Sequence, residues 1–174
     1  MLNSKTDAAQ STQSKLPDVG QQAPDFSVVN QDQKVVTLHD LSGHWTVLYF
    51  YPKDLTSGCT IQANDFTALR PHFDKLDVCI YGVSPDEPQM HCRFIEKEKL
   101  RLSLLSDPQQ SMLKSYGVWQ LKQNYGKEYY GVVRSTFILD PSGQVAKVWT
   151  HVKAEGHAQE VLDTLTTLIA SAKA

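Results

Sequence analysis

The chain has 174 residues, within the roughly 100–200 expected of one domain, and 41% of them are hydrophobic, too many for a disordered chain. A formal net charge of −2 leaves no basic footprint for nucleic acid, and no apolar run approaches the roughly 18 residues of a membrane span. Three cysteines, Cys59, Cys79 and Cys92, are an odd number without CxxC spacing, which speaks against a disulfide-stapled secreted domain and for a reducing, cytoplasmic setting.

Residues 1–15 are Ser/Thr/Gln-rich and read as a flexible polar tail, with residues 16–174 as the folded domain. The tail has no apolar stretch of the signal-peptide kind, and only Lys5 and Lys15 are basic in it; a short organelle-targeting peptide stays open as an alternative. Phe26–Val29 and Val35–Leu38 flank the polar turn NQDQK, which predicts a short N-terminal hairpin. Trp45 to Tyr51 is nearly continuous apolar and aromatic, as in a strand buried on both faces, and Pro52 stops it. From Cys59 to Phe73, Ile61, Phe66, Leu69 and Phe73 recur at helical spacing.

A second buried strand follows at Val78–Val83. Ser84-Pro85-Asp86-Glu87 then starts a helix running to about Lys99. Leu102–Leu105 reads as a short strand, Gln110–Tyr116 as a short helix, and Gly117–Gly131 as a loop. Arg134–Leu139 and Val145–Trp149 pair around Asp140-Pro141-Ser142-Gly143, which has the residues of a type I turn. Val161, Leu162, Leu165, Leu168, Ile169 and Ala172 form the apolar stripe of a final helix. Strands alternating with helices, closed by a hairpin and a helix, give an α/β fold with a central mixed β-sheet.

The chemistry gathers around Cys59. The segment YPKDLTSGCT lies where a strand hands over to a helix, so Cys59 falls in the first helical turn. Unpaired N–H groups and the positive end of the helix dipole favour a thiolate there, and only the anion attacks. Thr56, three residues earlier, carries a hydroxyl that both donates and accepts, placed to hold a hydroperoxide in line with the sulfur or merely to cap the helix. Pro52 shields the anion from water and offers no competing N–H.

Pro52-x-x-x-Thr56-x-x-Cys59 resembles the peroxiredoxin active-site pattern, and FYPKDLTSGCT is similar to the Q-type branch, also called bacterioferritin comigratory proteins. The likeness continues through GVSPD (82–86), FIEKEKL (94–100), LLSD (104–107), YGVW (116–119) and RSTFILDPSGQV (134–145), spanning roughly residues 18–170. It implies a thioredoxin-like fold, and it implies that Arg134, at the start of a late strand, lies against the peroxidatic sulfur. An arginine there stabilises the thiolate and the charge growing on the departing oxygen; without that context Arg134 reads as an ordinary strand-edge ion-pair partner. The implied activity is a thiol-dependent peroxidase acting on hydrogen peroxide and alkyl hydroperoxides, through a sulfenic acid on Cys59. Thioredoxin or glutaredoxin is the implied reductant, no metal or organic cofactor is needed, and a monomer is implied.

One departure stands out. Many members of the branch carry a resolving cysteine five residues after the peroxidatic one, where this chain has Asn64. Others place it on the following helix, at the position of Ile95, one turn from Cys92. Met90, Phe94 and Ile95 mark the apolar face of that helix, which turns Cys92 outward. Cys92 is thus a candidate resolving thiol that needs helix unwinding to reach Cys59, set against a one-Cys cycle. Cys79 reads as core packing within its strand. The six histidines lack metal-ligand spacing, and His91 reads as solvent-facing. Trp119, Tyr125, Tyr129 and Tyr130 form a substrate-side or partner rim, or pack a long loop. A thiol–disulfide oxidoreductase lacks its CxxC pair here, whereas a redox-sensing or chaperone-like thiol protein is the competing non-enzymatic reading.

Overall fold

The computed structural model describes residues 15–173, so the expected tail over residues 1–15 lies outside the described residues apart from Lys15. Strands β1 (Ser27–Asn30) and β2 (Val35–Thr37) form the expected hairpin. Its turn is closed by the Asn30 side chain, whose Oδ1 accepts from the Asp32 and Lys34 N–H groups at 2.9 and 3.1 Å. A single 3-10 turn at Leu38–Leu41 follows, and no hydrophobic period announces it. It starts on a capping box, in which Asp40 accepts from the Thr37 N–H at 2.9 Å.

Then come β3 (Trp45–Phe50), α1 (Ser57–Lys75), β4 (Val78–Ser84), α2 (Pro88–Glu98), β5 (Ser103–Ser106) and α3 (Ser111–Ser115). The chain ends with β6 (Trp119–Asn124), β7 (Lys127–Val132), β8 (Ser135–Leu139), β9 (Val145–Trp149) and α4 (His157–Ala172). Seven strands make one sheet in the order β2-β1-β5-β4-β3-β8-β9. The β5-β4-β3 core is parallel, while β1, β2, β8 and β9 join antiparallel, so the sheet is mixed as expected.

The strand period of two divides β3 between two cores. Val47 and Tyr49 face one side of the sheet, with Phe66 and Phe73 of α1, Phe94 of α2 and Leu165 of α4. Leu48 and Phe50 face the other, with Met112 and Leu113 of α3 and Val28 and Val36 of the hairpin. Both faces being covered explains why β3 reads as an unbroken apolar run. Tyr49 stacks on Phe66 at 4.7 Å between ring centroids. Gly82 of β4, in register with Tyr49, makes room for that ring, because a Cβ there would stand 2.7 Å from Tyr49 Cζ. The stripe of α4 buries Val161, Leu162, Leu165 and Ile169, while Ala172 in the last turn is exposed.

Residues 117–131 differ from expectation. Instead of a loop they hold the β6–β7 hairpin, a separate two-stranded sheet turned at Tyr125 and Gly126 with φ of 53° and 78°. Two consecutive positive φ values are what the tightest hairpin turn requires. Most of its side chains are exposed, so the alternation that normally reveals a strand is missing.

Candidate active site

Strand β3 delivers the site. Its last residue, Phe50, is followed by Tyr51, whose N–H still donates to Val83 of β4 at 3.0 Å. Pro52 is half-buried and the ladder stops there. Four residues then swing the chain into α1. Leu55 among them has φ of 66°, a left-handed conformation that a branched side chain adopts only when its surroundings impose it.

Thr56 is the N-cap of α1 with extended backbone, and its carbonyl accepts the first helical bond, from Thr60 N–H at 2.9 Å. Its hydroxyl does not cap the helix. It donates instead to the Lys53 carbonyl at 2.7 Å, which leaves its oxygen free to accept and leaves the first-turn N–H groups of α1 uncapped by it. Cys59 sits in that first turn, 2% exposed.

Arg134, between β7 and β8, reaches across to this turn. Its Nη2 donates to Cys59 Sγ at 3.3 Å and its Nη1 to Gln62 Oε1 at 2.6 Å. The planar fork thus binds two residues one helical turn apart, which a lysine cannot do. Gly58 is what lets the guanidinium approach, since a Cβ at that position would lie 3.2 Å from Nη2. Arg134, Cys59, Thr56 and Pro52 are therefore assembled on one short segment and the strand entrance facing it.

Three neighbours of the site escaped sequence reasoning. Gln62 is fully buried and orients Arg134, while its own Nε2 has no partner among the described residues; its position three residues after Cys59 on the same helix face was the available signal. The Tyr49 hydroxyl, likewise buried without a partner, is held in its neutral form far above its usual range, chiefly by burial and then by the charge of Cys59. Lys122 of β6 donates to the Val132 carbonyl at 3.0 Å, and burial, then the Arg134 charge, pull its ammonium below the ordinary lysine range while Cys59 opposes them. A cation on an otherwise polar hairpin gave no sequence cue.

The other candidates land elsewhere. Cys92 is exposed on α2, as expected, but it donates to the Gln31 carbonyl at 3.1 Å. It lines a groove of about 510 Å3 with Gln31, Arg70, Glu96 and Arg101; Ile95 lines the same groove and also packs against the core cluster that contains Cys59. The three thiols are free, so Cys59 and Cys92 are not joined. Cys79 is half-buried at the sheet end, not enclosed in the core, and its thiol is pushed up by burial and then by Asp77. His91, expected to face solvent, is fully buried because Asp54 and the Leu105 carbonyl satisfy both ring nitrogens. Among the described residues, no cluster of His, Cys, Asp or Glu is arranged to hold a metal ion.

Known proteins resemble this chain over most of its length. Residues 19–148 match the AhpC/TSA family. Peroxiredoxin Bcp of Bacillus subtilis (strain 168) is 45% identical over 148 residues, which cover 85% of this chain and 94% of that protein. Peroxiredoxin Bcp of Escherichia coli (strain K12) is 40% identical over 149 residues, 84% of this chain and 94% of that one. A structure of the Xanthomonas campestris bacterioferritin comigratory protein, which concerns that protein's alkyl peroxide reduction activity, superposes with a TM-score of 0.82 at 39% identity, covering 87% of this chain and 99% of it. With its thioredoxin-like fold, its buried thiol under an arginine fork and these relatives, the chain belongs to the AhpC/TSA family, in the Bcp or Q-type branch of the peroxiredoxins, and is a thiol-dependent peroxidase.

Proposed function

We propose that Cys59 is the peroxidatic nucleophile and that Arg134, Thr56 and Pro52 shape its pocket for hydrogen peroxide and alkyl hydroperoxides. The observation that carries this reading is the 3.3 Å bond from Arg134 Nη2 to Cys59 Sγ at the start of α1. In the first half-reaction the thiolate attacks one peroxide oxygen, an S–O bond forms and the O–O bond breaks. The departing oxygen takes up a proton and leaves as water or alcohol, and the sulfur keeps the other as a sulfenic acid. Arg134 offsets the charge on the breaking bond, and the Thr56 hydroxyl and the first N–H groups of α1 orient the two oxygens. Pro52 keeps water from the anion.

In the second half-reaction a thiol attacks the sulfenic sulfur, releasing water and leaving a disulfide that a dithiol donor of the thioredoxin or glutaredoxin kind reduces. The separate groove around Cys92 favours an incoming thiol as the first resolver. Exposure of Cys92 supports the second reading, in which α2 unwinds and Cys92 closes the disulfide itself. A monomer fits the short edge strand β2, only three residues long, and a reducing, cytoplasmic setting suits three unpaired thiols.

One equivalent of hydrogen peroxide, added to the reduced protein, tests the assignment. Stoichiometric loss of peroxide with oxygen added at Cys59, absent in Cys59→Ser, is the expected result; an undiminished rate in that variant ends it. Non-reducing peptide mapping then separates a Cys59–Cys92 disulfide from a mixed disulfide on Cys59, and sedimentation reads the oligomeric state.

A further inference from the structure

The segment before Cys59 is fastened to α2 through a buried polar chain with no part in the peroxide chemistry. His91 is fully buried, with Nδ1 2.6 Å from Asp54 Oδ2 and Nε2 3.0 Å from the Leu105 carbonyl oxygen. Asp54, 2% exposed, also accepts the Tyr51 hydroxyl on Oδ1 at 2.6 Å. Its backbone N–H donates to Asp86 Oδ2 at 2.8 Å, and the same oxygen accepts the Ser84 hydroxyl at 2.7 Å.

Proton positions follow from the partners. A carbonyl only accepts, so Nε2 of His91 carries a hydrogen, and the short Nδ1–Oδ2 contact needs a second one between its two atoms. Asp54 and His91 therefore hold one shared proton and are neutral as a unit, which is how two ionisable groups tolerate complete burial. The fastening falls where the chain is strained, because Leu55, next to Asp54, is the residue with φ of 66°. From Leu55 the chain runs straight into Thr56 and the first turn of α1.

We propose that the Asp54–His91 pair is a positioning clamp that holds Pro52–Cys59 in its peroxide-ready geometry against α2, β4 and β5. It rests on Cys59 being the peroxidatic thiol and adds two positioning residues to that reading. Released from the clamp, Leu55 relaxes, the first turn of α1 shifts against Arg134, and a sulfur that is 2% exposed becomes reachable.

Two reagents with opposite demands test it. Hydrogen peroxide needs the assembled pocket, whereas iodoacetamide needs an accessible thiol, and mass mapping restricts both readouts to the Cys59 peptide. Asp54→Ala should slow oxidation by about tenfold or more, as small misplacements of reacting groups do, and should speed alkylation by about threefold or more through local opening. Asp54→Asn preserves the bonding pattern, its amide donating to a neutral His91 and its carbonyl accepting from Tyr51, and should stay within about threefold of wild type in both reactions.

Asp86→Ala removes the backbone anchor of Asp54, together with the acceptor of the Ser84 hydroxyl, at a half-exposed site and should move both rates in the same opposite directions; it carries the test should Asp54→Ala not fold. Wild-type oxidation in Asp54→Ala, a parallel fall of both reactions, or Asp54→Asn behaving like Asp54→Ala would each overturn the clamp. Failure of the wild-type protein to consume peroxide would instead count against the peroxidatic assignment, and alkylation of Cys59 would still judge the clamp.

Discussion

Replacing Arg134 by Met keeps an unbranched apolar stem and removes both arms of its fork. The arm to Cys59 Sγ, at 3.3 Å, is a charge-assisted hydrogen bond. Bonds of that kind contribute about 1.5–3 kcal/mol, which at 1.36 kcal/mol per decade corresponds to roughly 10- to 150-fold in the rate of Cys59 oxidation. The arm to Gln62, at 2.6 Å, governs stability instead. Its loss strands a buried amide whose Nε2 already lacks a partner, at a cost of about 1–3 kcal/mol. Arg134→Lys keeps the charge but not the fork, so it should fall between Met and Arg in rate. Quenched-flow mass spectrometry of a single turnover reads the first quantity and urea unfolding the second. Oxidation of Arg134→Met within about twofold of wild type would refute the role assigned to the guanidinium, since that little corresponds to less than half a kcal/mol.

Gly58→Ala should raise stability by up to about 1 kcal/mol through helix propensity, yet slow peroxide reduction several-fold, because the added methyl crowds Nη2 at 3.2 Å; a thermal melt and a peroxide assay on one preparation check the opposed signs. Phe66→Ala empties a fully buried position stacked on Tyr49 and should cost about 3–5 kcal/mol in urea unfolding. His157, bonded to Thr136 and Glu160, is held below its ordinary value of 6.5 mainly by burial. The unfolded chain therefore takes up this proton first, so stability from this group is full above 6.5 and falls with pH until the lowered folded value is passed. His157→Gln should flatten that part of a urea-midpoint profile against pH; an unchanged slope would show that other groups set it.

The strands that pack on both sides, β3 and β4, were legible because burial wrote itself into unbroken apolar runs, and α4 because one stripe faces the core. Cys59, Thr56 and Pro52 were legible because their chemistry sits within eight consecutive residues. Arg134 was reachable only through family likeness, since nothing local to β8 says what lies opposite it. The Asp54–His91 pair, and the role of Gln62 despite its place one turn from Cys59, were hard to read for the same reason: each acquires meaning from a partner tens of residues away. His91 shows the cost most clearly, because a polar residue on an otherwise amphipathic helix looks solvent-facing until a buried carboxylate is placed beside it. The β6–β7 hairpin was missed because a strand pair that buries only Val132 leaves no hydrophobic period.

That hairpin has a design consequence. Its tip, Asn124 to Lys127 around a Tyr125 that is 98% exposed, contributes nothing to either core cluster, while nearer its base Lys122 bonds the Val132 carbonyl, two residues before Arg134. Tip residues can therefore be exchanged wholesale, as in grafting a foreign turn, without loosening the folded scaffold. Variation there is free to change the surface the hairpin presents while melting temperature stays put, so the two traits can be engineered, and can drift, independently.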